Sequence, residues 1–184
     1  VASPSVAAPA ISQVAENAGK LEVSADADKA FQTIKGEGFE VQFDMKQGTI
    51  NKLVYGGESV IVPGYGPRLN AFRAFVSNDN WCYQPWFANG LHNLKHHAEN
   101  AQVIKEKNGN VKITCTVVSQ APNAARLQSK NGRYDSGIHT LEENTDRPFG
   151  ADDFKFTTNQ VWTVYPDASI ELQAAITSSN PGIV

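Results

Sequence analysis

Two runs of strict alternation constrain this chain more than anything else in its 184 residues. Phe39, Val41 and Phe43 alternate with Glu40, Gln42 and Asp44, and Val111, Ile113, Cys115 and Val117 alternate with Lys112, Thr114 and Thr116. A period of two sends successive side chains to opposite faces of an extended chain, so each run reads as a strand with one buried and one wet face. Turn residues frame these runs closely. Gly36-Glu37-Gly38 precedes the first, Met45-Lys46-Gln47-Gly48 returns the chain into Thr49 to Tyr55, and Gly56-Gly57 turns it before Glu58 to Val62. Asn108-Gly109 is the pair a two-residue hairpin uses when both central positions need positive φ, and it joins a strand over Ala101 to Lys107 to the run from Val111. Shorter strands are predicted at Leu21 to Val23 and at about Ala30 to Lys35. Phe154 to Tyr165 and Ser169 to Thr177 close the chain around Pro166-Asp167-Ala168, with Ile170, Leu172, Ala174 and Ile176 facing inward. Short strands meandering at this spacing predict an all-β antiparallel sandwich.

Composition narrows the partners. An apolar share of 41% is enough for one core, and no uncharged apolar run is long enough to cross a membrane. A net charge of −3 gives no reason to expect nucleic acid or a membrane surface. Residues 1–19 are rich in Ala, Ser and Pro and lack the basic start and apolar run of a signal peptide. They read as a linker from a preceding domain, with residues 20–184 folded. Cys82 and Cys115 are available to pair, but two cysteines do not define an oxidising compartment, and the compartment stays open.

The stretch from Gly66 to Trp81 carries the most information. Gly66-Pro67 signals a turn, since Pro67 fixes its own φ and pushes the residue before it out of the helical region. Beyond it, Leu69, Ala71, Arg73 and Phe75 fall on one side of an extended chain and Asn70, Phe72, Ala74 and Val76 on the other. That pattern predicts a strand covered on both faces. A guanidinium is rarely buried alone, so Arg73 is expected to act as a structural anchor paired with a carboxylate or with carbonyl oxygens. Ser77-Asn78-Asp79-Asn80 then ends the strand by competing for backbone hydrogen bonds.

This stretch resembles the segment that opens the C-terminal sandwich domain of the large bacterial β-galactosidases of glycoside hydrolase family 2. There a Gly-Pro, an Asn and an Arg-Ala-Pro-x-Asp-Asn-Asp run follow one another; here the run reads Arg73-Ala74-Phe75-Val76-Ser77-Asn78-Asp79. Phe75 replaces the family's Pro and Ser77 its first Asp. Downstream, Trp86-Phe87-Ala88-Asn89-Gly90-Leu91 is similar to the family's Trp-x-x-x-Gly-Leu. The resemblance covers about Phe39 to Val118 and Phe154 to Val184, and marks the polar stretch 119–153 as an insertion. It implies a supersandwich, shared with galactose mutarotases and present here in part. It also implies that the two catalytic glutamates of a retaining β-galactosidase sit on a separate β/α barrel of the parent chain.

No catalytic residue is therefore expected here. Retention needs two carboxyls about 5 Å apart, and Glu142-Glu143 and Asp152-Asp153 read as solvated loop acids. By resemblance, the loop from Asn78 to about Pro85 approaches the barrel's active-site mouth, which makes Asn78, Asp79, Trp81 and Trp86 candidates for contact with a β-galactoside. Both tryptophans also suit burial at a core or domain interface, and Trp162 reads as core. Phe87, Leu91 and Leu94 predict a short helix inside Cys82 to Ala98. His92 and His96 stand at the i, i+4 spacing of a metal-binding helix, but no Glu lies between them as in His-Glu-x-x-His, and no metal or other cofactor is assigned. The alternative is a free-standing carbohydrate-binding or mutarotase-like domain, in whose mutarotase-like form His139 with Glu142 or Asp146 would serve as the acid/base pair. The expected partner is the parent's catalytic barrel, and strands missing their neighbours are expected to promote self-association.

Overall fold

A computed structural model of the chain describes residues 19–74, 76, 79, 83–129 and 139–182. Strands β1 (Glu22–Ala25), β2 (Phe31–Gly36), β3 (Phe39–Asp44), β4 (Thr49–Tyr55) and β5 (Glu58–Ser59) form one antiparallel sheet in chain order. Strands β6 (Lys95–Lys105), β7 (Val111–Gln120), β10 (Phe156–Val164) and β11 (Ile170–Ser178) form a second, ordered β11-β10-β7-β6. Between β7 and β10, β8 (Asn123–Ser129) and β9 (His139–Pro148) pair as a separate ribbon. One short helix, α1 (Tyr83–Ala88), and a 3-10 turn over Leu91–Asn93 precede β6.

The two larger sheets pack face to face, which makes the fold the antiparallel sandwich that the alternation predicts. Ile34, Val41, Phe43 and Ile50 from the first sheet share one core with Val111, Ile113, Val117, Trp162 and Val164 from the second. Burying such side chains stabilises by about 1.5–3 kcal/mol each. Phe43 meets Trp162 edge-on with ring centres 5.7 Å apart. Two polar groups of this core share one acceptor: Trp162 Nε1–H donates to Gln160 Oε1 at 2.8 Å, and the Cys115 thiol points at the same oxygen from 3.7 Å. The Cys115 thiol is free, and burial pushes its pKa up to about 11; Cys82 lies outside the described residues. Gly48, at φ 69°, lets the β3–β4 turn press against Val117, Ala98 and Cys115 where a side chain has no room. Backbone N–H of Ala98 donates to Lys46 O across that contact at 2.7 Å.

Several expectations need correction. The strand predicted over 58–62 stops at Ser59, because Pro63 brings no N–H to a ladder and Gly64 turns at φ 84°. At 106–110 the hairpin is not a two-residue turn. Gly109 N–H donates to Glu106 O at 3.1 Å, Glu106 N–H donates to Asn110 O at 2.9 Å, and Gly109 has φ 90° while Asn108 stays in the ordinary region. That is a type I turn followed by a left-handed glycine, the three-residue solution. Strand β6 begins at Lys95 rather than Ala101, since a bulge between Glu99 and Gln102, with Asn100 at φ 54°, breaks the alternation that would have revealed it.

The last strand departs in an instructive way. Ile170, Leu172, Ala174 and Ile176 pair with Val164, Trp162, Gln160 and Thr158, so they do lie on the inner face of the sheet. Only Ile170 packs against the core; Leu172 and Ile176 remain 39% and 51% exposed. The direction these side chains face follows from alternation, but their burial depends on a cover that the first sheet does not extend to them.

Candidate functional site

The stretch after Gly66-Pro67 is irregular, not a strand. Side chains of both parities go to the same place: Leu69, Ala71 and Phe72 all pack on the cluster built from Leu91, Phe154 and Phe156. A strand cannot do that, because its neighbours point apart. Side chains supply hydrogen bonds that a ladder would otherwise make. Thr49 Oγ1 donates to Pro67 O, Arg68 donates to Gly64 O, and Asn70 Oδ1 accepts from Phe72 N–H at 3.1 Å. At the turn itself, any Cβ on Gly66 would overlap the Ile50 carbonyl oxygen. Phe72 and Trp86 then join α1 and β8 to the base of β10, since both also pack on Tyr83, Phe87 and Ala125.

On this aromatic base sits a paired Arg73 and Asp79. Arg73 donates from Nη1 and Nη2 to Asp79 Oδ2 and Oδ1 at 2.6 and 2.8 Å, and to Ala74 O at 3.1 Å. Asp79 Oδ2 also accepts from Val76 N–H at 2.8 Å, and Asp79 N–H donates back to Val76 O at 2.8 Å. Bidentate Arg–carboxylate pairs fix orientation as well as charge. The Asp79 side chain is 10% exposed and that of Arg73 60%, so the carboxylate is the fixed end and the guanidinium keeps an open face. Its carbon lies 5.5 Å from the Trp86 ring centre, within cation–π range. Asn78 and Trp81, the other two candidates, lie outside the described residues.

Hydrogen bonds from Arg73, then from Val76 N–H, hold the Asp79 carboxyl below its ordinary pKa of 3.8. A carboxyl with a lowered folded pKa stabilises fully above its unfolded value, and that contribution disappears as pH falls through the folded one. Asp79→Asn is therefore expected to melt below the wild type at neutral pH, with the gap closing as pH drops below 3.8; thermal melts across pH 7 to 3 check this.

The remaining candidates come apart. His92 lies in the 3-10 turn, whereas His96 lies in β6 with Nδ1 2.9 Å from Ser119 Oγ, so no helix aligns them. No three His, Cys, Asp or Glu among the described residues are grouped to hold a metal ion. The His96–Ser119 distance suits a base and a nucleophile, yet Ser119 is fully buried and out of reach of any substrate. The acidic pairs are engaged structurally: Glu142 accepts from Arg126 and Gln128 at 2.8 and 2.9 Å, and Asp153 from Arg147 at 3.0 Å. Glu40, Glu106 and Glu171 are held below the usual carboxylate range, chiefly by Lys52, Lys112 and Gln173. A general acid needs the opposite shift. The His139 side chain lies outside the described residues.

Alternation gave no hint of one feature, a hollow of about 420 Å³ between α1 and the ribbon, floored by Ala88, Ala124 and Ala125 and rimmed by Arg126, Glu142 and Glu143. The only trace of it in the sequence is the run of small residues Ala124-Ala125.

A family model described as beta galactosidase small chain matches residues 35–183. The chain belongs to the beta-galactosidase small chain family. No curated protein matches it. The beta-galactosidase small chain match begins in β2 and runs through the Arg73–Asp79 pair, α1, the ribbon and β11. Both blocks that carried the resemblance fall inside it.

Proposed function

We propose that this chain is a non-catalytic part of a retaining β-galactosidase, which cleaves terminal β-galactosides with carboxyls carried by a catalytic barrel elsewhere in the parent. The domain packs on that barrel and holds the loop from Asn78 to about Pro85 near its active-site mouth. The observation that carries this reading is the Arg73–Asp79 pair stacked on Trp86, because it fixes both ends of a loop that a substrate-site role requires to be placed accurately. The family match supports it, and so does the apolar inner face of β11, which suits further strands of a larger sandwich. Arg73 then acts as a positioning residue and Trp86 as the aromatic surface nearest the sugar.

Two measurements test this. The isolated chain is expected to leave a chromogenic β-galactoside intact; turnover that survives removal of contaminating enzyme overturns the reading. In the intact parent, Arg73→Ala is expected to raise KM more than it lowers kcat, since it loosens a binding loop and leaves the reacting carboxyls in place. The hollow beside α1 favours a second reading, a free-standing carbohydrate-binding or mutarotase-like domain. Saturable galactose binding by the isolated chain, with NMR shifts at Ala124 and Ala125, would establish that reading instead.

A further inference from the structure

His92 sits in an unusual place for an imidazole. Both ring nitrogens are buried and neither has a hydrogen-bond partner among the described residues. Its ring lies 5.0 Å from that of Phe87 and 6.1 Å from that of Phe72. Phe72 in turn meets Trp86 edge-on at 6.3 Å, and Trp86 carries the Arg73 guanidinium. Unsatisfied buried nitrogens are costly to keep, and the cost rises sharply once the ring is charged.

We propose that His92 is an acid-sensitive latch: as the neutral ring it holds Phe72 and Phe87 together, and on taking a proton from solvent it leaves that site for Glu143, loosening the loop that bears Arg73. The charged and titratable groups around it are few. Arg73 on the loop is bound to Asp79, α1 offers only Tyr83, and Lys95 and His96 follow on β6. On the ribbon, Arg126 is paired with Glu142, while Glu143 is the group whose charge acts on His92. Burial lowers the His92 pKa from its ordinary 6.5 and the Glu143 carboxylate partly opposes this. The sign follows: the aromatic cluster is at full strength above pH 6.5 and weakens as pH falls through the lower folded value. His92 acts in this way whatever the parent's substrate.

The test is an NMR titration of the full chain from pH 8 to 4, following the histidine ring signals and the Trp86 indole N–H. The Trp86 signal is expected to move with the His92 midpoint, below 6.5. Glu143→Gln keeps the fold and removes the carboxylate, and should carry both midpoints together to lower pH. His92→Phe should abolish the acid shift at Trp86 while leaving the titration of His96 unchanged. A Trp86 signal that stays still while His92 titrates, or an acid shift that persists in His92→Phe, overturns the proposal. If His92→Phe does not fold, the Glu143→Gln midpoints decide: a midpoint that is unchanged or moves upward overturns it.

Discussion

Trp162→Ala is expected to destabilise the chain by about 3–5 kcal/mol, the range for emptying a large aromatic site. Trp162 is fully enclosed in the second sheet, and three things are lost together. Its edge contact with Phe43 joins the two sheets at the centre of the core, its indole N–H satisfies Gln160, and its volume separates the β7 and β11 neighbours in register, Ile113 and Leu172. Since domains of this size are stable by about 5–15 kcal/mol, the variant should be close to unfolding at physiological temperature. Urea unfolding gives the number directly, with the slope unchanged if only stability has moved. Trp162→Phe should lose less, because the contact with Phe43 survives and only the Gln160 partner goes. Equal losses in the two variants would mean that the hydrogen bond, not the packing, carries the site.

Gly66→Ala is the second large effect. A single methyl added there would overlap the Ile50 carbonyl oxygen and crowd the Thr49 hydroxyl. Neither can swing aside, since one is strand backbone and the other is bonded to Pro67. Overpacking of this kind costs about 1–3 kcal/mol, and a backbone obstacle puts it at the upper end. The methyl acts through one connection, lifting the Gly66-Pro67 turn off β4 and so withdrawing Phe72 and Arg73 from the aromatic base. Near-ultraviolet circular dichroism should therefore change in the Trp86 region while the Phe43–Trp162 core remains. Under the proposed accessory role, the variant in the intact parent should reproduce the KM rise expected for Arg73→Ala. A Gly66→Ala chain as stable as the wild type would show that the turn does not rest on β4 as described.

What could be read from the sequence divides along a physical line. The strands β3, β7 and β10 were legible because each keeps a period of two in a pattern imposed by one buried face; β4 followed from the turn at Met45-Lys46-Gln47-Gly48, and β11 keeps the apolar period although Leu172 and Ile176 stay exposed. The ribbon was not legible: on β9 every residue from Thr140 to Pro148 is exposed, so no face selects apolar side chains and the stretch reads as polar loop. The 66–76 segment misled for the opposite reason. It is apolar on both parities, as a doubly covered strand would be, yet Leu69, Ala71 and Phe72 converge on one cluster through side-chain-capped turns. At the site, Arg73 was read as buried in a strand and so in need of a carboxylate; it does bond Asp79 six residues on, yet its side chain is 60% exposed and the buried member of the pair is the carboxylate. The two His92 nitrogens, which have no hydrogen-bond partner among the described residues, had no such signal, because adjacent positions in the sequence do not record which polar atoms lack one.

The order of pairing in the first sheet has a bearing on how this protein is made. Strands β1 to β5 pair only with their neighbours in the chain, so that sheet can assemble on the ribosome as soon as Ser59 has emerged. Its apolar face, with Ile34, Val41 and Phe43, then waits for β7, which ends at Gln120. At about 5–20 residues per second, the interval from Ser59 to Gln120 lasts roughly 3–12 s. During those seconds a nascent half-sandwich presents a greasy surface to solvent and to any chaperone at hand, and slowing translation across that interval should lower the yield of native protein.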